Sequence, residues 1–401
     1  MAPGSVVGSV DALPGRYRGD PEGRLRARFR LRIGALVRDV VVEPDSCRVE
    51  APQGYPDAAI STSPATWLEL DEGWISGIEA FAAGRLALRG SIQKALLFEP
   101  LFDRPDRGAL RYEVGRVSVP GAKISALTVG PENADPLLLI HGLGATKASV
   151  VPIIPSLARH NRVIAIDLPG FGDSSKPRGR YDAAWFARHT LALLDRLGID
   201  SAAIVGNSMG GRIAQEVAIT APERVLGIAC LCPATAFSER PGLPLVRILR
   251  PELGLALGRV SRRRILNTLQ DLFAQPSRVD DSWFEAAADD FLRTWKSPRA
   301  RMAFFAAARH IYLEEGYGER GFWSRLRNME PPALYIFGED DGLITPRFAA
   351  KVSKHLPRAE VQVWRDCGHA PQIEHPDRTA EVLLRFFRRA SGGLAAAQQT
   401  G

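Results

Sequence analysis

Residues Gly206-Asn207-Ser208-Met209-Gly210 separate an apolar run, Ala202-Ala203-Ile204-Val205, from a helix-patterned stretch at residues 211–219. Strand, tight turn and helix in that order lift the turn serine to the edge of a sheet. The glycines two residues either side leave space where a β-carbon would strike the neighbouring strand or helix. A G-x-S-x-G match alone arises by chance in long chains. Its context here makes Ser208 the candidate nucleophile.

Outward from this turn, residues 106–389 alternate short apolar runs with helical stretches, the pattern of a mostly parallel sheet with helices on both faces, an α/β fold. Strands are expected at 116–119, 124–129, 137–140, 163–166, 202–205, 227–231, 334–337 and 361–364, and a last helix at 377–389. The Gly-, Ala- and Gln-rich tail, 391–401, reads as a frayed end. Between 233 and 332 the alternation stops; helical periodicity at 281–295 and 298–312 makes this segment an inserted helical cap. The first hundred or so residues differ in texture, with strands, then 64–70, a helix at 74–83 and a strand at 85–90. They read as a small N-terminal α+β domain. The expected division is therefore 1–105, then 106–390 with the cap at 233–332, then the tail. The first boundary falls in the linker-like Phe102-Asp103-Arg104-Pro105-Asp106-Arg107-Gly108.

A chain of 401 residues, 45% hydrophobic and 24% charged, is globular and longer than one core usually spans. Residues 1–14 lack the basic and apolar regions of an export signal, and no stretch nears the roughly twenty apolar residues that cross a bilayer. The expectation is a soluble, cytoplasmic protein. The net charge of +7 suits acidic surfaces, lipid headgroups or solubility, and nothing resembles a nucleic-acid fold, so nucleic acid is not expected as a partner. Arginines alternate with period two from Arg24 to Arg32, as in a strand with a solvated arginine face and an apolar inner face. The four cysteines, 47, 230, 232 and 367, show neither a disulfide framework nor zinc spacing. No metal-ligand cluster and no Gly-rich phosphate or dinucleotide loop is present, so neither metal nor cofactor is expected.

A serine needs a base. His369, in Cys367-Gly368-His369-Ala370-Pro371, follows one expected strand, and Asp341, in Gly338-Glu339-Asp340-Asp341-Gly342, follows another, both at the sheet's carboxyl edge. The chain order Ser, Asp, His is the one this architecture imposes. His369 would act as general base and then general acid, worth roughly 10²–10⁴ in rate, with Asp341 fixing its tautomer. Asp340 is a rival acid. His141-Gly142-Leu143-Gly144 follows the strand at 137–140, where His141 shapes a loop offering the Leu143 N–H to a substrate oxyanion, with the Met209 N–H as second donor. The remaining histidines, 160, 189, 310, 355 and 375, fall in helical or cap positions and read as structural.

With these residues in place, the segment 111–389 resembles an α/β-hydrolase. The likeness rests on His141-Gly142-Leu143-Gly144, on Asp167-Leu168-Pro169-Gly170-Phe171-Gly172-Asp173-Ser174, on the Ser208 turn, on residues 338–346, and on Gly368-His369-Ala370-Pro371 with Glu374 and Pro376. The resemblance favours Asp341, because the family's acid usually lies three residues past the glycine. The usual proline four residues beyond the acid is displaced, with Thr345 there and Pro346 next. The Asp167 loop is mainly structural in that family. The N-terminal part, residues 24–102, resembles the sterol carrier protein type two family through Ile78-Glu79-Ala80-Phe81-Ala82-Ala83-Gly84-Arg85-Leu86 and the strand and glycine that follow. That likeness implies a five-stranded sheet and helices around an apolar tunnel for lipids or acyl chains. The family's long N-terminal helix is broken here by Pro14, Gly15, Gly19, Pro21 and Gly23.

The expected activity is cofactor-free hydrolysis of a carboxylic ester or thioester with a hydrophobic acyl part, through an acyl-enzyme on Ser208. Hydrolytic carbon–carbon cleavage of a dienoic diketone is the alternative, suggested by Gly206-Asn207-Ser208-Met209-Gly210-Gly211. Against it, Ala370-Pro371 stands where those enzymes commonly carry an aromatic residue after the histidine. A third reading is a lipid-binding protein whose hydrolase domain is inert. The expected partner is a lipid-like small molecule. The basic stretch Pro244-Leu245-Val246-Arg247-Ile248-Leu249-Arg250 suits peripheral membrane contact as well as it suits a solvated helix. Oligomeric state is left open.

Overall fold

The computed structural model describes residues 5–20, 22–234, 252 and 260–399, the last nine by backbone alone. The stretch 244–250, read above as a membrane-contact candidate, lies outside them. Two compact units emerge. One is Met1–Val114 with Val279–Arg293, and the other is Gly115–Arg278 with Thr294–Gly401.

The first unit holds a five-stranded sheet of Ala27–Ile33 (β1), Leu36–Glu43 (β2), Ser46–Glu50 (β3), Ala58–Thr62 (β4) and Leu86–Gly90 (β5), in the order β3-β2-β1-β4-β5. β1 and β2 form a hairpin around Gly34, whose φ of 58° a residue with a β-carbon rarely adopts. Alternation along β1 buries Ala27, Phe29, Leu31 and Ile33 on one face. The other face is not simply solvated. Asp39 on β2 lies fully buried beneath it, accepting from Arg28 Nη1 at 3.0 Å, Arg30 Nε at 2.8 Å and the Gln53 N–H at 2.9 Å. The expected helix at 74–83 starts later, at Gly77–Ala82, because Ser76 caps it and Glu79 returns the bond to the Ser76 N–H. Ahead of the sheet stand two short helices, Val6–Asp11 and Leu13–Arg16.

Helix Asp281–Trp295, expected in the cap, clusters with this unit as far as Arg293. Its carboxylates explain why: Glu285 pairs with Arg89 at 2.5 Å, and Asp289 accepts the Gly90 N–H at 3.0 Å, covering a donor at the end of edge strand β5.

The second unit is an eight-stranded sheet of Tyr112–Val119 (β6), Ala122–Val129 (β7), Pro136–Ile140 (β8), Arg162–Ile166 (β9), Ala202–Asn207 (β10), Val225–Leu231 (β11), Ala333–Gly338 (β12) and Glu360–Trp364 (β13). Its order is β13-β12-β11-β10-β8-β9-β7-β6, parallel from β13 through β9, with β7 antiparallel to β9. All eight expected strands are present. β8, β10 and β12 are covered on both faces and so read as unbroken apolar runs, not alternations. Helix Met209–Thr220 packs in the core with residues 209–218 all buried. The last helix, Pro376–Gln399, runs past the expected end at 389; the alanines at 395–397 are strong helix formers and carry the backbone through Gly392 and Gly393.

Candidate active site

The Ser208 turn is as tight as its glycines require. Ser208 has φ 55° and ψ −116°, a conformation costing about 1–3 kcal/mol that must be held by its surroundings. The holding bonds are the Ser208 N–H to Leu231 O at 2.9 Å, with Ser208 O accepting from the N–H groups of Arg212 at 3.2 Å and Ala234 at 3.0 Å. A β-carbon on Gly206 would sit 2.2 Å from the Gly210 carbonyl carbon, and one on Gly210 would sit 2.3 Å from Ile140 O. Backbone cannot yield at either place.

Asp341, 3% exposed, places Oδ2 2.8 Å from His369 Nδ1, while its Oδ1 accepts the N–H groups of Leu343 and Ile344, both at 2.8 Å. Three bonds fix that carboxylate. With Nδ1–H donated to the aspartate, the other ring nitrogen of His369 is the basic one. Asp340 is exposed, and its hydrogen bond to the histidine loop is made by its backbone N–H, 3.0 Å from Cys367 O. Ser208 is joined to the histidine through its neighbour Asn207, whose Nδ2 donates to His369 O at 3.0 Å and to Leu231 O at 3.1 Å. The His369 N–H donates to Leu272 O at 2.7 Å. Glu374 clamps the same loop, accepting the N–H groups of Gly368 at 2.9 Å and Ala274 at 2.8 Å. Burial pushes the Glu374 carboxyl up, against the lowering effect of those N–H groups.

The His141–Gly144 loop lies against the serine, since a β-carbon on Gly142 would be 3.2 Å from Ser208 Cβ. Leu143 follows in that loop. Met209 opens its helix, so its N–H is one of those that no intrahelical acceptor serves. His141 shapes the loop as follows: fully buried, it accepts the Leu168 N–H on Nε2 at 3.0 Å and donates from Nδ1 to Gly142 O at 2.7 Å. Burial pushes its pKa down, which keeps it neutral. The far end of the loop is tied by Lys147 and Asp167, both fully buried. Lys147 Nζ reaches Asp167 Oδ2 at 2.8 Å and Ser125 Oγ at 3.0 Å, and the Lys147 N–H reaches Asp167 Oδ1 at 2.8 Å.

Two residues near the site went unnoticed in the sequence, and a third, Cys232, reads there only as one of four cysteines. Lys147 and Arg212 are charges in apolar surroundings, and only the buried position gives them meaning. Cys232, with φ 45° just past β11, presents its thiol within 4.8 Å of the Asp341 and His369 ligand atoms. Among the described residues this is the group of His, Cys, Asp and Glu that converges as a metal site would. Its chemistry fits an acid–base pair better than a metal, because the imidazole already holds a hydrogen bond to the carboxylate. Burial, reinforced by Asp341, also pushes the Cys232 thiol well up and keeps it protonated.

Residues 135–376, more than half of the chain, match the alpha/beta hydrolase fold family, and residues 23–103 match the SCP-2 sterol transfer family. A 2-hydroxymuconate semialdehyde hydrolase of a Pseudomonas species is 31% identical over 261 residues, which is 64% of this chain and 87% of that protein. A pimeloyl-acyl-carrier-protein methyl ester esterase of Aeromonas salmonicida is 28% identical over 257 residues, 63% of this chain and 94% of that one. Among solved structures, a membrane phospholipase A described as a bacterial virulence factor superposes with a TM-score of 0.58 at 27% identity, covering 70% of this chain and 87% of its own. No helix among the described residues is long and apolar enough to cross a membrane. The chain belongs to the alpha/beta hydrolase fold family and is an enzyme of that hydrolase class, and its N-terminal residues 23–103 resemble the SCP-2 sterol transfer family.

Proposed function

We propose that this enzyme is a serine hydrolase that cleaves a carboxylic ester or thioester with a hydrophobic acyl part. The observation that carries the reading is the 2.8 Å contact of Asp341 with His369, on a loop bonded to the residue preceding Ser208. His369 takes the Ser208 hydroxyl proton as Oγ attacks the acyl carbon, and the oxyanion forms against the N–H groups of Leu143 and Met209. The same proton passes to the departing alkoxide or thiolate, leaving an acyl-enzyme. Water then attacks with His369 as base, and Ser208 leaves with its proton restored.

The hydrophobic acyl part is inferred from the N-terminal domain. A lipid-binding domain at residues 1–105 would raise the effective concentration of an apolar substrate for the hydrolase to which it is joined. The esterase and phospholipase named among the relatives point the same way. Carbon–carbon hydrolysis stays as the second reading because the semialdehyde hydrolase relative is 31% identical. Rates on p-nitrophenyl esters of increasing acyl length, set beside 2-hydroxymuconate semialdehyde, separate the two. Turnover that needs Ser208 and rises with acyl length supports the lipid-directed esterase. Faster turnover of the semialdehyde than of any ester overturns it.

A further inference from the structure

The helix behind the nucleophile carries an arginine where its neighbours Ile213, Ala214, Val217 and Ala218 are buried and apolar. Arg212 sits one turn after Ser208 and is 2% exposed. Its Nε lies 2.9 and 2.8 Å from the two carboxylate oxygens of Glu314, and Nη2 also meets that carboxylate and Glu216 Oε2, the latter at 2.7 Å. The guanidinium stands 4.6 Å from the centre of the Phe322 ring. Glu216 in turn accepts from Arg325. These partners come from different elements: Glu314 ends helix Pro298–Leu313, while Phe322 and Arg325 belong to helix Phe322–Leu326.

A buried charge cluster is a poor source of stability, since apolar side chains of similar volume commonly serve a core as well or better. What an Arg–carboxylate fork supplies is geometry, fixing angle as well as distance. We propose that Arg212 is a positioning residue for the reaction: it ties the first turn of the nucleophile helix to the insertion through Glu314, and thereby holds Ser208 and the Met209 N–H in register. The path is short. The Arg212 N–H donates to Ser208 O, so a shift or tilt of Arg212 passes directly to the strained serine peptide and to the next N–H along it. The proposal rests on the reading of Ser208 as nucleophile.

Full-length wild type, Arg212→Lys and Glu314→Gln are titrated with a fluorophosphonate to count reactive serines, then assayed on one p-nitrophenyl ester. The lysine keeps the charge and loses the fork; the glutamine keeps the shape and loses the charge, and it answers the question if the first variant folds poorly. The expected result in both is a kcat per titrated site lower by roughly ten- to a hundredfold, the scale of a small misplacement, with KM little changed. A merely structural role would instead lower the number of titratable sites and leave kcat per site at the wild-type value, which overturns the proposal. A labelled wild type with unaffected variants sinks this proposal alone, whereas a wild type that takes no label sinks the nucleophile reading with it.

Discussion

Replacing Lys147 by methionine keeps an unbranched stem of similar length and removes only the ammonium. Asp167 would then keep the N–H groups of Lys147 at 2.8 Å and Asp173 at 2.9 Å, but lose its only buried cation partner among the described residues. Both side chains are fully buried, so no water replaces the lost contact. Breaking one side of a buried pair costs about 3–5 kcal/mol; the two surviving N–H bonds place the expected loss near the lower figure. The pH dependence gives a sharper test. Burial is the largest single influence on the Asp167 carboxyl and raises it, yet the Lys147 ammonium, His141 and the Lys147 N–H together outweigh it and hold the group below its ordinary value. In the wild type this contributes stability present above the unfolded carboxylate value and lost as pH falls through the folded one. In Lys147→Met burial is opposed only by the surviving N–H bonds and His141, the folded value rises above that of the wild type, and the variant loses stability relative to the wild type as pH climbs. Urea unfolding followed by tryptophan fluorescence at pH 5 and pH 7.5 should therefore show a gap between the two proteins that widens with pH, and Asp167→Asn added to the variant should narrow it. A Lys147→Met variant as stable as wild type at pH 7.5, or a gap that shrinks as pH rises, would refute the argument.

Glu99 behaves in the opposite sense. Burial pushes it up to about 7, against the lowering effect of Arg104 and the Gly77 N–H, so it costs the folded state stability as pH rises from the ordinary glutamate range to about 7. Glu99→Gln should melt at nearly the wild-type temperature at pH 4.5 and higher at pH 8, by an amount equivalent to roughly 2–3 kcal/mol; a difference that does not grow with pH would contradict this. Asp341→Asn should lower kcat by about 10⁴ while leaving the melting temperature close to that of the wild type, because His369 then loses its tautomer and its counter-charge rather than its place. Retention of a tenth of the activity would remove Asp341 from the site.

What could be read from the chain was local. Strand periodicity in β6 to β13 and the Ser208 turn depend on residues within a few positions of each other, and they are legible because sheet burial and turn sterics act at that range. Pairing across the fold is different. Nothing near Asp39 tells that Arg28 and Arg30 will close over it, and the arginine face therefore reads as solvated. Helix Asp281–Trp295 has clear helical periodicity, but whether its acidic side chains meet Arg89 or solvent is decided by tertiary placement. Asp340 and Asp341 are adjacent in sequence and opposite in exposure, a distinction set by how the loop after β12 folds back over Gly338. Cys232 looks like one more buried thiol until a positive φ turns it toward the Asp341–His369 pair.

The central claim is that Ser208 is a nucleophile activated by His369 and Asp341. It is tested most directly by treating the full-length protein with a fluorophosphonate, digesting it, and locating the adduct by mass spectrometry, with Ser208→Ala and His369→Ala alongside. The account predicts one stoichiometric adduct on Ser208, none in Ser208→Ala and much slower labelling in His369→Ala. A folded wild type that remains unmodified, or that carries its adduct on another residue, would contradict it.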